Sequence, residues 1–215
     1  MQVDAVRLSL SIASGEVLGL VGRSGAGKST LARCIAAPEM ADGGRITLGG
    51  TLLPARRTRA QRRRVQYVWQ EPMLALSPYR SALRAVMEPL EGFALCTAEQ
   101  RPGRAAEALR AVGIDAGMAA RRPDGVSGGQ CQRALLARAS VAEPELLLLD
   151  EPFSTLDTVI TAALLRELPA LLGRRGAGSS GTSCAVLFVS HDRAVVQRLA
   201  DRVCSLHDGR LVGGG

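Results

Sequence analysis

The sequence predicts an α/β fold with a mainly parallel sheet and an inserted helical segment. Apolar runs typical of strands buried on both faces recur at residues 17–21, 146–150 and 185–190. The stretch from about 71 to 144 differs, with helical patterns at 81–90, 98–112 and 128–141. At 215 residues the chain can bury a sizeable core. We therefore expect one domain, residues 1–215, with a core formed by 1–70 and 145–215 and a helical subdomain over about 71–144.

Shorter elements complete this pattern. Residues 6–12 alternate apolar and polar side chains, which predicts a strand with one solvated face. Residues 45–50 predict a short strand and a hairpin, and so an antiparallel β subdomain beside the main sheet. A strand is expected at 65–69, a helix at 156–172 and a Gly/Ser-rich loop at 174–183. A helix at 192–200 and two short strands at 203–206 and 210–212 follow.

Composition excludes several classes of protein. With 47% hydrophobic and 22% charged residues, the chain is globular and not disordered. No apolar run approaches the ~18–20 residues needed to cross a bilayer, and the first residues do not resemble a secretory signal. Five cysteines without a C-x-x-C pair suggest reduced thiols in the cytosol. The net charge of +7 would suit nucleic acid, anionic lipid or phosphorylated ligands, and does not choose among them.

A basic run between residues 56 and 64 leaves two interpretations open. It is either a solvated helix face or loop, or a patch for nucleic acid or lipid headgroups. No aromatic residues are interleaved to stack bases, which weakens the nucleic-acid interpretation. The arginines of the run are Arg56, Arg57, Arg59, Arg62, Arg63 and Arg64.

Residues 22–30 match the pattern G-x-x-x-x-G-K-[ST], a loop whose backbone N–H groups wrap a polyphosphate. Its glycines allow tight turns and close approach of the backbone to a ligand. A strand pattern precedes the loop and a helical pattern follows it. The phosphates would therefore lie at a helix N-terminus, where unpaired N–H groups and the helix dipole favour negative charge. The predicted phosphate-binding residues are Gly22, Arg23, Ser24, Gly25, Ala26, Gly27, Lys28, Ser29 and Thr30.

Lys28 is the only lysine among the 27 Lys and Arg residues of the chain. A compact ammonium fits between phosphate oxygens where a planar guanidinium does not. We therefore interpret Lys28 as a functional lysine, retained at the one position where arginine would not serve.

An acidic pair follows the leucine-rich strand pattern at 146–149. A phosphate loop needs an acidic residue for Mg²⁺ at the end of a nearby strand, and Asp150 has this position, while Ser29 would offer its hydroxyl to the same ion. Glu151 could polarise the attacking water as a general base. The alternative is two loop carboxylates that cap a strand.

A second glycine-rich segment begins the last helical pattern of the insert. Ser127 has the position of an N-cap, and the two glycines after it allow close access to the backbone. By itself this could be an ordinary helix start. Its combination with the phosphate loop and with the acidic pair favours a functional role.

In this order, residues 22–30, Gln70, 126–130, 146–152, 154–157 and 190–192 resemble the nucleotide-binding subunit of an ABC transporter, over essentially the whole chain. Shorter stretches at 70–72, 75–78 and 88–90 are most similar to importers of dipeptides, oligopeptides and nickel. The resemblance implies a P-loop NTPase core with an ABC-type nucleotide-binding domain. It also implies ATP and Mg²⁺ as cofactors, and ATP hydrolysis that powers transport.

The resemblance implies roles for individual residues. Gln70 would contact Mg²⁺, with Ser29 and Asp150, and the attacking water. His191 would hydrogen-bond the γ-phosphate and hold the water in line with Glu151. Gln70, Glu151 and His191 are therefore the catalytic candidates.

The resemblance also implies a dimer. The segment that contacts ATP on the opposite subunit would comprise Ser127, Gly128, Gly129 and Gln130, and Asp157 would communicate across the same interface. A second nucleotide-binding subunit, identical or homologous, would complete each site. Two membrane-spanning subunits and, indirectly, a solute-binding protein are the other implied partners, and no nucleic acid is expected. The implied location is peripheral, on the cytoplasmic face of the inner membrane.

Two features depart from the family pattern. The family usually carries an aromatic residue before the phosphate loop that stacks on adenine, whereas no aromatic residue precedes Tyr67. The chain also ends at Gly215, without the C-terminal extension of many such importers. These features suggest either a minimal subunit or a start placed too late.

Two other functions are considered. A soluble ABC-type ATPase acting on nucleic acid or ribosomes would use the basic run, but such proteins usually carry long coiled-coil insertions or two such domains. A degenerate partner that binds ATP without hydrolysing it is disfavoured by the intact Lys28, Asp150, Glu151 and His191.

Overall fold

The computed structural model describes residues 8–37, 41–152, 183–207 and 209–213. The described residues form two compact units. The first comprises the described parts of Met1–Tyr67, Glu145–Glu151 and Thr182–Gly215, and the second those of Val68–Pro144 and Pro152–Gly181. Within these residues, no helix combines the length and the apolar character needed to span a bilayer.

The strands in this part of the chain are β1 (Val17–Val21), β2 (Ile46–Leu48), β3 (Thr51–Leu53), β4 (Val65–Val68), β5 (Leu146–Asp150), β6 (Ala185–Val189), β7 (Arg202–His207) and β8 (Arg210–Val212). Six of them form one sheet in the order β4-β5-β6-β1-β7-β8. Strand β1 is parallel to both β6 and β7, β5 is parallel to β6, and β8 is antiparallel to β7. The antiparallel pair β2–β3 forms a separate two-stranded sheet. The predicted fold class is confirmed.

The centre of the sheet is apolar on both faces. Every residue of β5 and β6 is buried, as expected for parallel strands covered on two sides. The fully buried side chains of Leu18, Leu148 and Leu187 lie in one core cluster of the first unit. This packing fixes the carboxyl ends of the strands, where the candidate site lies.

The α-helices that the described residues form are α1 (Lys28–Ala36), α2 (Arg59–Arg64), α3 (Pro72–Ala75), α4 (Ala82–Gly92), α5 (Arg101–Ala111), α6 (Ala116–Ala119), α7 (Gly128–Ser140) and α8 (Arg193–Leu199). The three helices expected in the insert correspond to α4, α5 and α7, which pack on one another in the second unit. Glu88 of α4 pairs with Arg80 at 2.7 Å and with Arg138 of α7 at 3.2 Å. The short helices α3 and α6 had no periodic signal, because four residues are too few for one.

The strand predicted at 6–12 is not formed over its described residues. Residues 8–12 keep the predicted alternation, with Leu8, Leu10 and Ile12 packed against the core cluster. The Ser11 carbonyl, however, accepts a hydrogen bond from the Arg202 side chain at 2.6 Å. Alternation reports which side chains face the core. A strand also needs backbone pairing with another strand, and residues 8–12 do not pair with any of the described strands. The helix predicted at 156–172 and most of the loop at 174–183 lie outside the described residues.

Two arginines of the basic run make hydrogen bonds and an ion pair within the first unit. Arg57 is buried and donates to the carbonyls of Ala36 and Ile35 at the end of α1. Arg64 forms a two-pronged pair with Glu145, at 2.6 and 2.9 Å, and donates to the Leu48 carbonyl. These two arginines stabilise the core rather than offering their charge to a partner.

Candidate nucleotide-binding site

The phosphate loop connects β1 to α1, at the carboxyl end of a buried strand. Gly22 passes so close to β7 that an added Cβ would lie 2.5 Å from the Leu206 carbonyl oxygen. Gly25 and Gly27 have left-handed φ values of 81° and 95°, which favour glycine. The loop therefore needs glycine at these positions for two reasons, space at the first and backbone conformation at the others.

The start of α1 is available to an anion. Its N-cap is Gly27, so no side chain caps the helix, and its first turn contains no acidic residue. The N–H groups at a helix N-terminus lack intrahelical partners, and the helix dipole adds partial positive charge there. Together with the glycine loop, this end of α1 is suited to phosphate oxygens.

Lys28 is buried inside the loop rather than extended into solvent. Its side chain is 7% exposed, and Nζ donates to the carbonyl oxygens of Gly22 at 2.9 Å and Arg23 at 3.1 Å. The ammonium therefore already lies inside the loop, where it donates to two backbone carbonyl oxygens. Phosphate oxygens can take the place of these carbonyl oxygens as acceptors.

Asp150 is brought to the phosphate loop by the sheet. It ends β5, is 3% exposed, and its Oδ1 accepts a hydrogen bond from the Ser29 hydroxyl at 2.8 Å. Its other oxygen, Oδ2, accepts one from the Tyr67 hydroxyl at 2.6 Å. A buried carboxylate is costly unless it is hydrogen-bonded, and here both of its oxygens have donors.

The Tyr67 hydroxyl remains a donor at any working pH. Burial, followed by the hydrogen bond and the charge of Asp150, raises the pKa of Tyr67 well above its usual value, while the charge and hydrogen bond of Arg33 oppose this shift. The proton of this hydrogen bond therefore stays on the phenol.

Glu151 has an unusual backbone and a nearly buried carboxylate. Its φ of 47° lies in the left-handed region, which costs a residue with a side chain free energy and is often found at functional sites. Its carboxylate accepts hydrogen bonds from the Ser190 hydroxyl at 3.2 Å and the His191 backbone at 2.8 Å. The chain turns at Glu151 so that the carboxylate faces the end of β6.

The His191 ring contacts Glu151 through Nδ1, which lies 2.9 Å from Oε1 of the carboxylate. The His191 side chain is 68% exposed, whereas that of Glu151 is 10% exposed. The second ring nitrogen, Nε2, lies on the opposite side of the ring from this contact. The structure thus brings together two of the predicted catalytic residues.

Ser127 is the N-cap of α7, as predicted. Its hydroxyl accepts from the Gln130 N–H at 3.3 Å, and the Gln130 side chain accepts from the Ser127 N–H at 2.9 Å, which forms a capping box. An added Cβ at Gly128 would meet nothing within 4 Å. Packing within the described residues therefore does not require glycine at this position.

Six predicted site residues are not placed in this cluster, and four of them, Ser127, Gly128, Gly129 and Gln130, belong to the second unit. Gln70 is exposed and belongs to the second unit, and its role stays a prediction. Asp157 lies outside the described residues. Ser29, Asp150, Glu151, His191 and the loop all belong to the first unit.

Sequence reasoning missed two residues of the site. Tyr67 looked like one position of a strand, and the only sequence signal was a polar-tipped aromatic near the end of that strand. Ser190 was noted next to His191 without a role, yet its hydroxyl joins Glu151 to the Asp192 N–H, with the latter contact at 3.1 Å. The contacts of Tyr67 with Asp150 and of Ser190 with Glu151 depend on which strands are neighbours in the sheet.

A glycine-rich phosphate loop between a buried parallel strand and a helix, with a buried acidic residue hydrogen-bonded to the loop's serine, defines a nucleoside triphosphatase of the P-loop class. Comparison with known proteins makes the class more specific. Residues 6–154 match the family described as ABC transporter.

Relatives with assigned functions are similar over most of the chain. It is 39% identical over 209 residues to the nickel import ATP-binding protein NikE of Escherichia coli (strain K12), covering 95% of this chain and 75% of that protein. It is also 39% identical over 208 residues to the probable peptide ABC transporter ATP-binding protein y4tS of Sinorhizobium fredii (strain NBRC 101917 / NGR234), covering 95% and 57%.

A solved structure agrees. The ATP-binding cassette MJ0796, in a dimeric post-hydrolysis state bound to ADP and Pi, superposes with a TM-score of 0.81 at 28% identity, covering 95% of this chain and 88% of that one. The chain belongs to the ABC transporter family, and its fold and motifs are those of the ATP-binding subunit.

Proposed function

We propose that this chain is the ATP-hydrolysing subunit of a membrane importer of nickel, metal chelates or peptides. The observation that carries the proposal is the hydrogen bond between Ser29 and Asp150, at 2.8 Å. It joins the phosphate loop to the acidic end of β5. The groups proposed to bind phosphate and those proposed to bind the metal ion are therefore adjacent. The similarity to NikE and to y4tS supports the importer assignment and both candidate cargo classes.

Binding of the ATP phosphates would use the backbone N–H groups of the loop and the start of α1. Lys28 would exchange its two carbonyl contacts for phosphate oxygens, which are stronger partners because they are charged. Arg23, Ser24, Ala26 and Thr30 would contribute mainly through the backbone. Affinity in this arrangement depends on the phosphates and not on the base.

The oxygen atoms of Ser29 and Asp150 fit Mg²⁺. The ion prefers hard oxygen ligands, and a buried carboxylate hydrogen-bonded to a hydroxyl presents two of them together. Gln70 is proposed as a further ligand. When bound, Mg²⁺ would neutralise charge that develops on the phosphate oxygens.

Glu151 would accept a proton from the attacking water as general base. Its carboxylate is held at Ser190 and at the His191 backbone, so a water could replace the contact with the exposed His191 ring. The ring would then be free to hydrogen-bond the γ-phosphate through Nε2. General-base catalysis of this kind contributes typically about 10²–10⁴-fold in rate.

Residues 127–130 would complete the site of a second subunit, identical or homologous. Gly128 is the first residue of α7, and the open space around it shows that packing within the described residues does not require glycine there. Close approach of a ligand from outside would explain the glycine, with Ser127, Gly129 and Gln130 as the other contacts. Asp157 is proposed to act across the same interface.

The remaining partners follow from the importer assignment. Two membrane-spanning subunits would dock on the helical subdomain, about residues 71–144, and a solute-binding protein would act indirectly. The chain would then be peripheral, on the cytoplasmic face of the inner membrane. ATP would close the dimer and switch the access of the membrane subunits, and release of ADP would reopen it.

The test is reconstitution in vesicles. The chain is combined with candidate membrane subunits and a candidate solute-binding protein, sought among the products of neighbouring genes, and uptake of nickel and of short peptides is measured with ATP. We expect ATP-dependent uptake of one cargo, lost in the Glu151→Gln complex and kept in the Asp42→Asn complex, because Asp42 is exposed and lies outside the helical subdomain. Uptake that proceeds equally without this chain would reject the proposal.

A further inference from the structure

Tyr67 contacts the metal-binding carboxylate from the side opposite Ser29. Its strand, β4, is the neighbour of β5 in the sheet, and its hydroxyl donates to Oδ2 of Asp150 at 2.6 Å. The Ser29 hydroxyl donates to Oδ1 of the same carboxylate at 2.8 Å. Each oxygen of Asp150 therefore has its own hydroxyl donor.

We propose that Tyr67 is a positioning residue, whose hydroxyl holds Oδ2 of Asp150 and thereby aims Oδ1 at Ser29 and at the ion bound there. The proposal rests on the proposed function, because it assigns Tyr67 to the metal site of the same ATPase. A side-chain carboxylate turns readily about its last bond, since that torsion has broad, shallow minima. Fixing one oxygen removes this freedom and leaves the other oxygen in place.

The surroundings of Tyr67 suit this role. Its ring packs against the core cluster of the first unit, and a phenol has few rotatable bonds, so its hydroxyl has a well-defined position. The O···O distance of 2.6 Å is in the range of hydrogen bonds to an ionised acceptor, which are stronger than neutral ones. Asp150 is 3% exposed, so little water is available to replace the phenol.

Loss of the hydroxyl should affect the ion and leave the phosphates. Partners that orient metal ligands from behind typically change metal affinity about 10–100-fold when they are removed. ATP binding without metal depends on the loop, on the first turn of α1 and on Lys28. The other hydrogen bond of Tyr67 is with Arg33, which lies beyond the first turn of α1. A merely structural role would instead weaken binding with and without metal alike.

The experiment compares the dissociation constant of a non-hydrolysable ATP analogue in EDTA with its value in excess Mg²⁺. The variant is Tyr67→Phe, which removes one oxygen atom and keeps the ring. We expect the ratio of the dissociation constant in EDTA to that in Mg²⁺ to fall about tenfold or more in this variant. The dissociation constant in EDTA should stay within about twofold of that of the unaltered chain. The matched control is Tyr79→Phe, at the only other tyrosine, which is 81% exposed and should leave the ratio unchanged.

Every other outcome overturns either the positioning role of Tyr67 or the proposed function on which it rests. An unchanged ratio in Tyr67→Phe, an equal fall in Tyr79→Phe, or parallel weakening in both conditions would reject the positioning role. If Tyr67→Phe does not fold, Tyr67→Met takes its place, and failure of both to fold would reject it as well. An unaltered chain that does not bind the analogue in either condition would reject the proposed function instead.

Discussion

The Oε1 atom of Glu151 lies 2.9 Å from Nδ1 of His191 and 2.8 Å from the backbone N of the same residue. The carboxylate is nearly buried and the ring is mostly exposed, so the ring is the partner that can move away. The backbone contact keeps the carboxylate in place when the ring moves. This arrangement suits the roles proposed for the pair, in which Glu151 is the base and the His191 ring contacts the γ-phosphate.

His191→Ala should reduce the ATPase rate at least about tenfold with ATP affinity changed little, because the role proposed for the ring is to act on the water and the γ-phosphate. The measurement is kcat and KM for ATP hydrolysis by the dimer. His207→Ala is the matched control, since His207 is the only other histidine and is exposed on β7. A change in KM alone would contradict this role.

Glu151→Gln should bind ATP normally and hydrolyse it at least about 10²-fold more slowly, because the amide cannot accept the proton of the water. Dimers should accumulate with ATP, since closure persists while reopening requires hydrolysis. Light scattering with ATP and with ADP measures this, and Glu107→Gln serves as control. If the variant stays monomeric with ATP under conditions where the intact subunits dimerise, the proposed cross-subunit site is wrong.

Lys28→Arg should abolish ATPase activity although the charge is kept. The ammonium lies between the Gly22 and Arg23 carbonyl oxygens, at 2.9 and 3.1 Å, and a planar guanidinium is too wide for that space. Steady-state hydrolysis is the measurement. Arg62→Lys, on the exposed side of α2, makes the reverse exchange and should have no effect. Activity of Lys28→Arg within about twofold of the unaltered chain would overturn this interpretation.

Discrimination between ATP and GTP should be poor, within about tenfold. The contacts proposed for the nucleotide are with its phosphates, which ATP and GTP share, and no aromatic residue precedes Tyr67 to add stacking on the base. A competition titration with ATP and GTP in Mg²⁺ tests this. A preference for ATP above about a hundredfold would show that another group recognises adenine.

Glu16→Gln should destabilise the chain near neutral pH and much less in acid. Arg202 donates to Glu16 at 2.8 Å, and this hydrogen bond is the largest cause that lowers the pKa of Glu16 in the folded state. A lowered pKa contributes stability that is present above the unfolded pKa and is lost as the pH falls through the folded one. Urea unfolding at about pH 7 and at about pH 2.5, well below the usual pKa of a glutamate, measures the difference. An equal loss of stability at both values would mean that the charge is not the cause.

The chemistry of the phosphate site was predictable from the sequence because it is local. Residues 22–30 specify a loop conformation through glycines and a following helix, and both features lie within nine consecutive positions. Ser127 was likewise predictable as an N-cap, since a capping box involves residues three positions apart. Asp150 and Glu151 were identifiable because they follow a continuous apolar strand.

Partners across strands were decided only by the tertiary structure. Tyr67 and Asp150 are 83 residues apart, and Glu151 and His191 are 40 apart. Their contacts exist because β4, β5 and β6 are adjacent in the sheet, and the order of parallel strands is set by packing of the whole core rather than by local pattern. The strand expected at 6–12 is a second case in which the local sequence pattern did not determine pairing between strands. Its alternation indicated which side chains would face the core, but strand formation also needs backbone pairing with another strand, which is decided only when the chain folds.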